Sequence, residues 1–95
     1  MLYNRDPRFA HLLMALLERE DGLVVGDNEP YSVTDASDYT IPVHGERRGL
    51  HHIAIEVRQD LIGDDPGQRA WRRLLARSLP HAYQELVSAE ALRPA

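Results

Sequence analysis

The run His52-Ile53-Ala54-Ile55-Glu56-Val57-Arg58 decides the fold expected of this chain. Apolar, mostly β-branched side chains recur at every second position, which is the signature of a strand. Ile53, Ile55 and Val57 then fall on one face, and Ala54, Glu56 and Arg58 on the other, with the Cα atoms of Glu56 and Arg58 about 7 Å apart. Burying an unpaired carboxylate is expensive enough that a partner, a metal or a task is expected beside it. Two readings of Glu56 stand side by side: an internal ion pair with Arg58, or a functional carboxylate.

Outward from this strand, helices and strands alternate. Asp6 as cap and Pro7 as first helical residue open a helix over about residues 7–20, in which Phe9, Leu12, Leu13, Leu16 and Leu17 recur at helical spacing until Gly22 stops it. Leu23-Val24-Val25-Gly26 is too brief for a helix and reads as a buried strand over about 23–27. From Asp27 to about Tyr39 the chain is rich in Asp, Ser and Thr without an apolar period, a long loop of the kind that carries function. Pro42 opens a short helix over about 41–48 that Gly49 closes, and the strand over about 51–58 follows. Asp65 and Pro66 repeat the cap-and-proline signal and launch a helix over about 66–78 on Trp71, Leu74, Leu75 and Ser78. Pro80 is expected to kink or split it, leaving a last helix over about 80–91 with Ala82, Leu86 and Val87. Leu92-Arg93-Pro94-Ala95 reads as a frayed end.

Two strands joined through a crossover helix are parallel by strong preference. The expected fold is therefore α/β, a partial three-layer arrangement with short parallel strands, in a single domain over 1–95. Two strands alone leave sheet edges unpaired, so a homo-oligomer or a missing N-terminal part of the same domain is expected to supply neighbours. Ligands of open parallel sheets bind beyond the carboxyl ends of the strands, where Asp27, Asn28 and Tyr31 follow one strand and Glu56, Arg58 and Asp60 end the other. The short helix adds His44, Glu46, Arg47 and Arg48 at the same edge.

Composition narrows the function classes. A net charge of −4 argues against nucleic acid as a partner. No apolar run reaches the roughly 18 residues that span a bilayer, and no basic segment with an apolar stretch opens the chain, so neither membrane insertion nor secretion is expected. The chain has no cysteine, which fits a reducing cytoplasm. All eleven cationic side chains are arginine, which excludes a Schiff-base lysine. Arg69, Arg72, Arg73 and Arg77 line one side of the last long helix and read as a solvated face.

Gly26-Asp27-Asn28-Glu29-Pro30-Tyr31-Ser32, Tyr39-Thr40-Ile41-Pro42-Val43-His44-Gly45-Glu46, Arg48-Gly49-Leu50 and Ile55-Glu56-Val57-Arg58-Gln59-Asp60-Leu61-Ile62 occur in that order. Together they resemble the C-terminal part of the N-formylglutamate amidohydrolase family over about residues 4–90. The resemblance implies a fold similar to zinc-dependent carboxypeptidases and aspartoacylase-like deacylases. It also implies an activity, hydrolysis of N-formyl-L-glutamate or a related N-acyl amino acid to formate and L-glutamate by zinc-activated water. Glu56 resembles the family's general base, and Arg58 the holder of a substrate carboxylate or oxyanion; Asn28, Tyr31, Thr40 and His44 would contact polar groups of the substrate.

The family's zinc ligands resemble a His-Ser-Gly motif, an acidic residue and a later His-Ser, and neither histidine motif is in this sequence. The five histidines do not replace them. His44 and Glu46 are too close in sequence for the usual helical ligand pair, neighbours His51 and His52 point to opposite faces of a strand, and His11 and His81 read as structural or solvated. The expectation is no metal-binding residue and no zinc bound by this chain alone. Two functions from different classes follow: the carboxylate-bearing portion of an amidohydrolase that is incomplete for catalysis by itself, or a non-catalytic remnant that self-associates or binds a small anionic ligand.

Overall fold

The computed structural model describes residues 1–92. Residues 93–95, most of the end read as frayed, lie outside that description. The elements in order are helix α1 (Arg8–Leu17), a π-helical turn (Thr40–Glu46), a 3-10 turn (Gln59–Leu61) and helix α2 (Asp65–Ala91).

Both helices begin near their acidic signals, displaced by one residue. The Asp6 carboxylate accepts the Arg8 backbone N–H at 3.1 Å, while α1 itself starts at Arg8. Asp64, not Asp65, caps α2 by accepting the Gly67 N–H at 2.8 Å, with proline in the first turn. These bonds satisfy donors that a helix start otherwise leaves orphaned. After Leu17 the chain tightens into shorter-range bonds, Arg19 to Leu16 and Glu20 to Leu17, so the helix ends earlier than residue 20.

Pro80 does not split α2, which runs unbroken through it. A proline inside a helix costs about 3 kcal/mol in strain and a lost hydrogen bond. Packing offsets this cost, because Ser78, Ala82 and Leu86 recur every four residues as the buried stripe of α2. Ala82 packs on α1, whose Ala10, Leu13, Met14, Leu16 and Leu17 form the core with Met1, and Leu74 and Leu79 of α2 lie against the same cluster. Leu13 and Leu17 are the largest fully buried side chains. Breaking the rod at Pro80 would part Ser78 from the other two residues of that stripe, Ala82 and Leu86.

The expected α/β fold is not what forms. Among the described residues there is no strand and no sheet, and the parallel pair over 23–27 and 51–58 is absent. The N-terminal residues stand between the two segments. Leu2 donates to Ala54 O at 2.8 Å and accepts from Ala54 N–H at 3.0 Å, an isolated antiparallel bridge. On its other side Met1 donates to Gly26 O at 3.0 Å and accepts from Asn28 N–H at 2.9 Å. One or two rungs on each side are too few for a ladder to propagate, so neither segment becomes a strand. The helix read over 41–48 is likewise replaced by the π-helical turn, closed by Arg47 N–H donating to Pro42 O at 3.0 Å.

The alternation read from sequence nevertheless holds at the level of side chains. Ile53 and Ile55 pack on the α1 core, whereas Ala54 joins Leu2, Val33 and Ile41 in a second small cluster. The extended run is thus a spacer between two cores, and it carries Glu56 out at its end.

Candidate functional site

Glu56 is exposed, which removes the desolvation argument made from the strand reading. Arg58 is not its partner. The guanidinium turns to Asp60 through Nε at 3.1 Å and Nη2 at 2.7 Å, with 76% of its side chain exposed. Glu56 instead accepts the phenol hydroxyl of Tyr31 on Oε1. That bond raises the Tyr31 phenol above its ordinary value near 10, and the charges of Glu56 and Asp38 push the same way. Two residues 25 apart, from the loop and from the end of the extended run, are therefore joined.

The other residues singled out in the sequence divide. Asn28 occupies the left-handed region (φ 54°), and its Oδ1 accepts the Tyr3 backbone N–H at 2.8 Å. Its carboxamide oxygen thus braces the turn. Thr40 and His44 are exposed on the π-helical turn and line a cleft of about 320 Å³ with Phe9, Leu50 and His51, while the His44 ring meets Tyr39 edge-on at 5.4 Å. Tyr31 and Glu56 meet; Arg58, Asn28, Thr40 and His44 are each engaged elsewhere.

A polar network beside the π-helical turn escaped the sequence reading. Asn4 Nδ2 donates to Asp35 at 2.8 Å and to Glu46 at 2.7 Å, and Arg5 Nη1 reaches the same two carboxylates at 2.8 and 3.2 Å. The hydrogen bond from Arg5 holds Asp35 below the usual carboxylate range, with Asn4 adding to it. Asp35 and Glu46 in turn raise the guanidinium of Arg5. An open cleft of about 530 Å³ lies over this network, with Asp38, Tyr39 and Arg47 on its walls. No spacing rule links residues 30 or more positions apart, so only Glu46, already placed at this edge, was visible beforehand. A third cluster joins Tyr3, which donates to Asp27 at 2.6 Å, with His11, whose Nε2 lies 3.1 Å from the other Asp27 oxygen.

A protein-family model described as N-formylglutamate amidohydrolase matches residues 1–63. The chain belongs to this family. No curated protein and no solved structure matches it. The match ends at Gly63, short of the resemblance read to about residue 90, and α2 begins two residues later at Asp65. Glu56, Arg58, Asn28, Tyr31, His44 and Thr40 all lie within the part matched to the amidohydrolases.

Zinc does not fit the described residues. His52 has the one orphaned buried side-chain polar atom among the described residues: Nδ1 donates to Leu50 O at 2.7 Å and Nε2 is without a partner. A single nitrogen is not a metal site, and among the described residues no group of three or more His, Cys, Asp or Glu side chains could hold an ion. A catalytic zinc needs three protein ligands. No helix among the described residues is long and apolar enough to cross a membrane.

Proposed function

We propose that this chain supplies the carboxylate-bearing portion of a site that hydrolyses the amide bond of N-formyl-L-glutamate or a related N-acyl amino acid. The family match over residues 1–63 carries the reading, and the exposed Glu56 carboxylate, tethered by Tyr31, gives it a residue. Glu56 accepts a proton from the water that attacks the acyl carbon. As the C–N bond breaks, it returns that proton to the departing amine, leaving formate and L-glutamate. Arg58 is the holder of the substrate carboxylate. Its pair with Asp60 is a surface pair worth at most about 1 kcal/mol, weak enough for a substrate carboxylate to displace. Asn28, Thr40 and His44 would contact polar groups of the substrate, as the family resemblance implies. No ligand set for the family's zinc occurs among the described residues, so no step is assigned to it.

Neighbours complete the fold in this reading, either further copies of the chain or the remainder of an amidohydrolase domain. Ile53, Ile55 and Val57 make no backbone hydrogen bond among the described residues, which supports an edge open to another extended segment. A monodisperse monomer in sedimentation that unfolds cooperatively would contradict it. The cytoplasm is the proposed compartment, supported by the cysteine-free composition.

The experiment is a titration of the whole chain with N-formyl-L-glutamate, followed by NMR. Shifts centred on Tyr31, Glu56 and Arg58, weakened in Arg58→Ala, support the reading; shifts elsewhere or none refute it. The second reading is a non-catalytic remnant that self-associates or binds a small anion. Formate release by the isolated chain with added zinc, abolished in Glu56→Gln, would eliminate both the remnant and the incompleteness of the site.

A further inference from the structure

We propose that Tyr31 is the positioning residue of Glu56: its phenol fixes one carboxylate oxygen and leaves the other free to take a proton from water. This rests on the general-base reading above and replaces the substrate contact that the family resemblance implies for Tyr31.

Glu56 leaves the extended run at its exposed end, past the single rung at Ala54 that ties the run to Leu2. An untethered glutamate samples several rotamers, an entropy that a fixed base must give up. The Tyr31 hydroxyl is the one hydrogen-bond partner of the carboxylate among the described residues, and it binds Oε1. Oε2 keeps its lone pairs for water.

The donor is suited to the task. A phenol donates one hydrogen bond and, held above its ordinary pKa chiefly by the hydrogen bond to Glu56, stays protonated at neutral pH. It orients the base without competing for the proton. Tyr31 is itself 53% exposed, so the ring is not a core element whose loss would disturb packing. Phenylalanine keeps the ring and removes only the hydroxyl.

The test compares the full chain with Tyr31→Phe and Glu56→Gln. Three-bond couplings of the Glu56 side chain are expected to show one dominant χ1 rotamer in the wild type and an average over several in Tyr31→Phe, with unchanged thermal unfolding. In Glu56→Gln, ultraviolet titration should bring one late-ionising tyrosine back towards about 10. The affinity for N-formyl-L-glutamate is expected to stay within about twofold in Tyr31→Phe, because the phenol touches the base and not the ligand. Averaged couplings in the wild type, or a single rotamer kept in Tyr31→Phe, overturn the proposal. So does an affinity about 10-fold weaker in Tyr31→Phe, which would make Tyr31 a substrate contact. A rotamer fixed by Tyr31 in a chain that binds no N-formyl-L-glutamate upholds the positioning and overturns only the substrate reading.

Discussion

Leu2 and Ala54 exchange both of their backbone hydrogen bonds, at 2.8 and 3.0 Å, and stack their side chains with Val33 and Ile41. That one bridge ties the first residues of the chain to the segment that ends in Glu56. Met1 simultaneously bonds Gly26 and Asn28, at the mouth of the loop that delivers Tyr31. Residues 1–3 are therefore the common anchor of both halves of the candidate site.

Shortening Leu2 should be costly. It is 3% exposed, whereas Val24, read from sequence as part of a buried strand, is 92% exposed. Leu2→Ala is expected to lose about 2–5 kcal/mol through lost burial and the cavity left behind. Val24→Ala should stay within about 0.5 kcal/mol. Urea denaturation of the two variants measures the contrast.

Gly67→Ala sets helix propensity against sterics. Alanine is favoured over glycine in a helix by about 1 kcal/mol. A Cβ at position 67 would stand 2.3 Å from Leu61 O and 3.0 Å from the capping oxygen of Asp64. The clash is with backbone, so it should win and net destabilisation of roughly 1–3 kcal/mol is expected. A stabilised Gly67→Ala in thermal melts would show that the 3-10 turn and the start of α2 part freely.

Acid should weaken the fold through Asp6. The hydrogen bond from Arg8 lowers its pKa to about 2, against about 3.9 in an unfolded chain. A depressed carboxyl stabilises the fold above the unfolded pKa, and that contribution disappears as pH falls from about 4 towards 2. With 31% of the side chain exposed, the screened contribution is on the order of 1 kcal/mol. The stability gap between wild type and Asp6→Asn, measured in urea, should be full at pH 6 and close by pH 2. A gap independent of pH would show that the pair with Arg8 contributes nothing.

The family-matched part is not expected to fold without α2. Leu13, Met14 and Leu17 of α1 share their core with Ala82, and Glu90 holds Arg8 at 3.0 Å and His51 at 3.3 Å from the far end of α2. A chain cut after Gly63 exposes that apolar face and should lose its cooperative thermal transition in circular dichroism. A cooperative melt of residues 1–63 would place the stabilising core elsewhere.

How much was legible depended on the range of each interaction. The acidic start of each helix, the apolar face of α1 and the in-and-out alternation of Ile53, Ala54 and Ile55 were all visible, because each involves residues a few positions apart. Membership of the family was readable too, since its motifs are contiguous. Among the site residues, Tyr31 and Glu56 were both singled out but not paired with each other. The ion-pair reading of Glu56 and Arg58 rested on alternation, which puts both on one face, yet the guanidinium pairs with Asp60, two residues along the exposed turn. Asn4, Arg5 and Asp35 escaped notice because their network spans 30 positions and more.

What the sequence by itself determined here is periodicity: which faces are apolar, where helices start, and which motifs place the chain among the amidohydrolases. Periodicity says that a segment is extended, not which segment lies beside it. Only the tertiary structure decided that residues 1–3 would separate the two segments read as strands, that α2 would run through Pro80, and that Tyr31 would hold Glu56. The physical reason is common to all three. Pairing an extended segment, tolerating a helix-interior proline and orienting an exposed carboxylate each depend on groups brought from far along the chain, and their energies appear only once the core of α1 and α2 has closed.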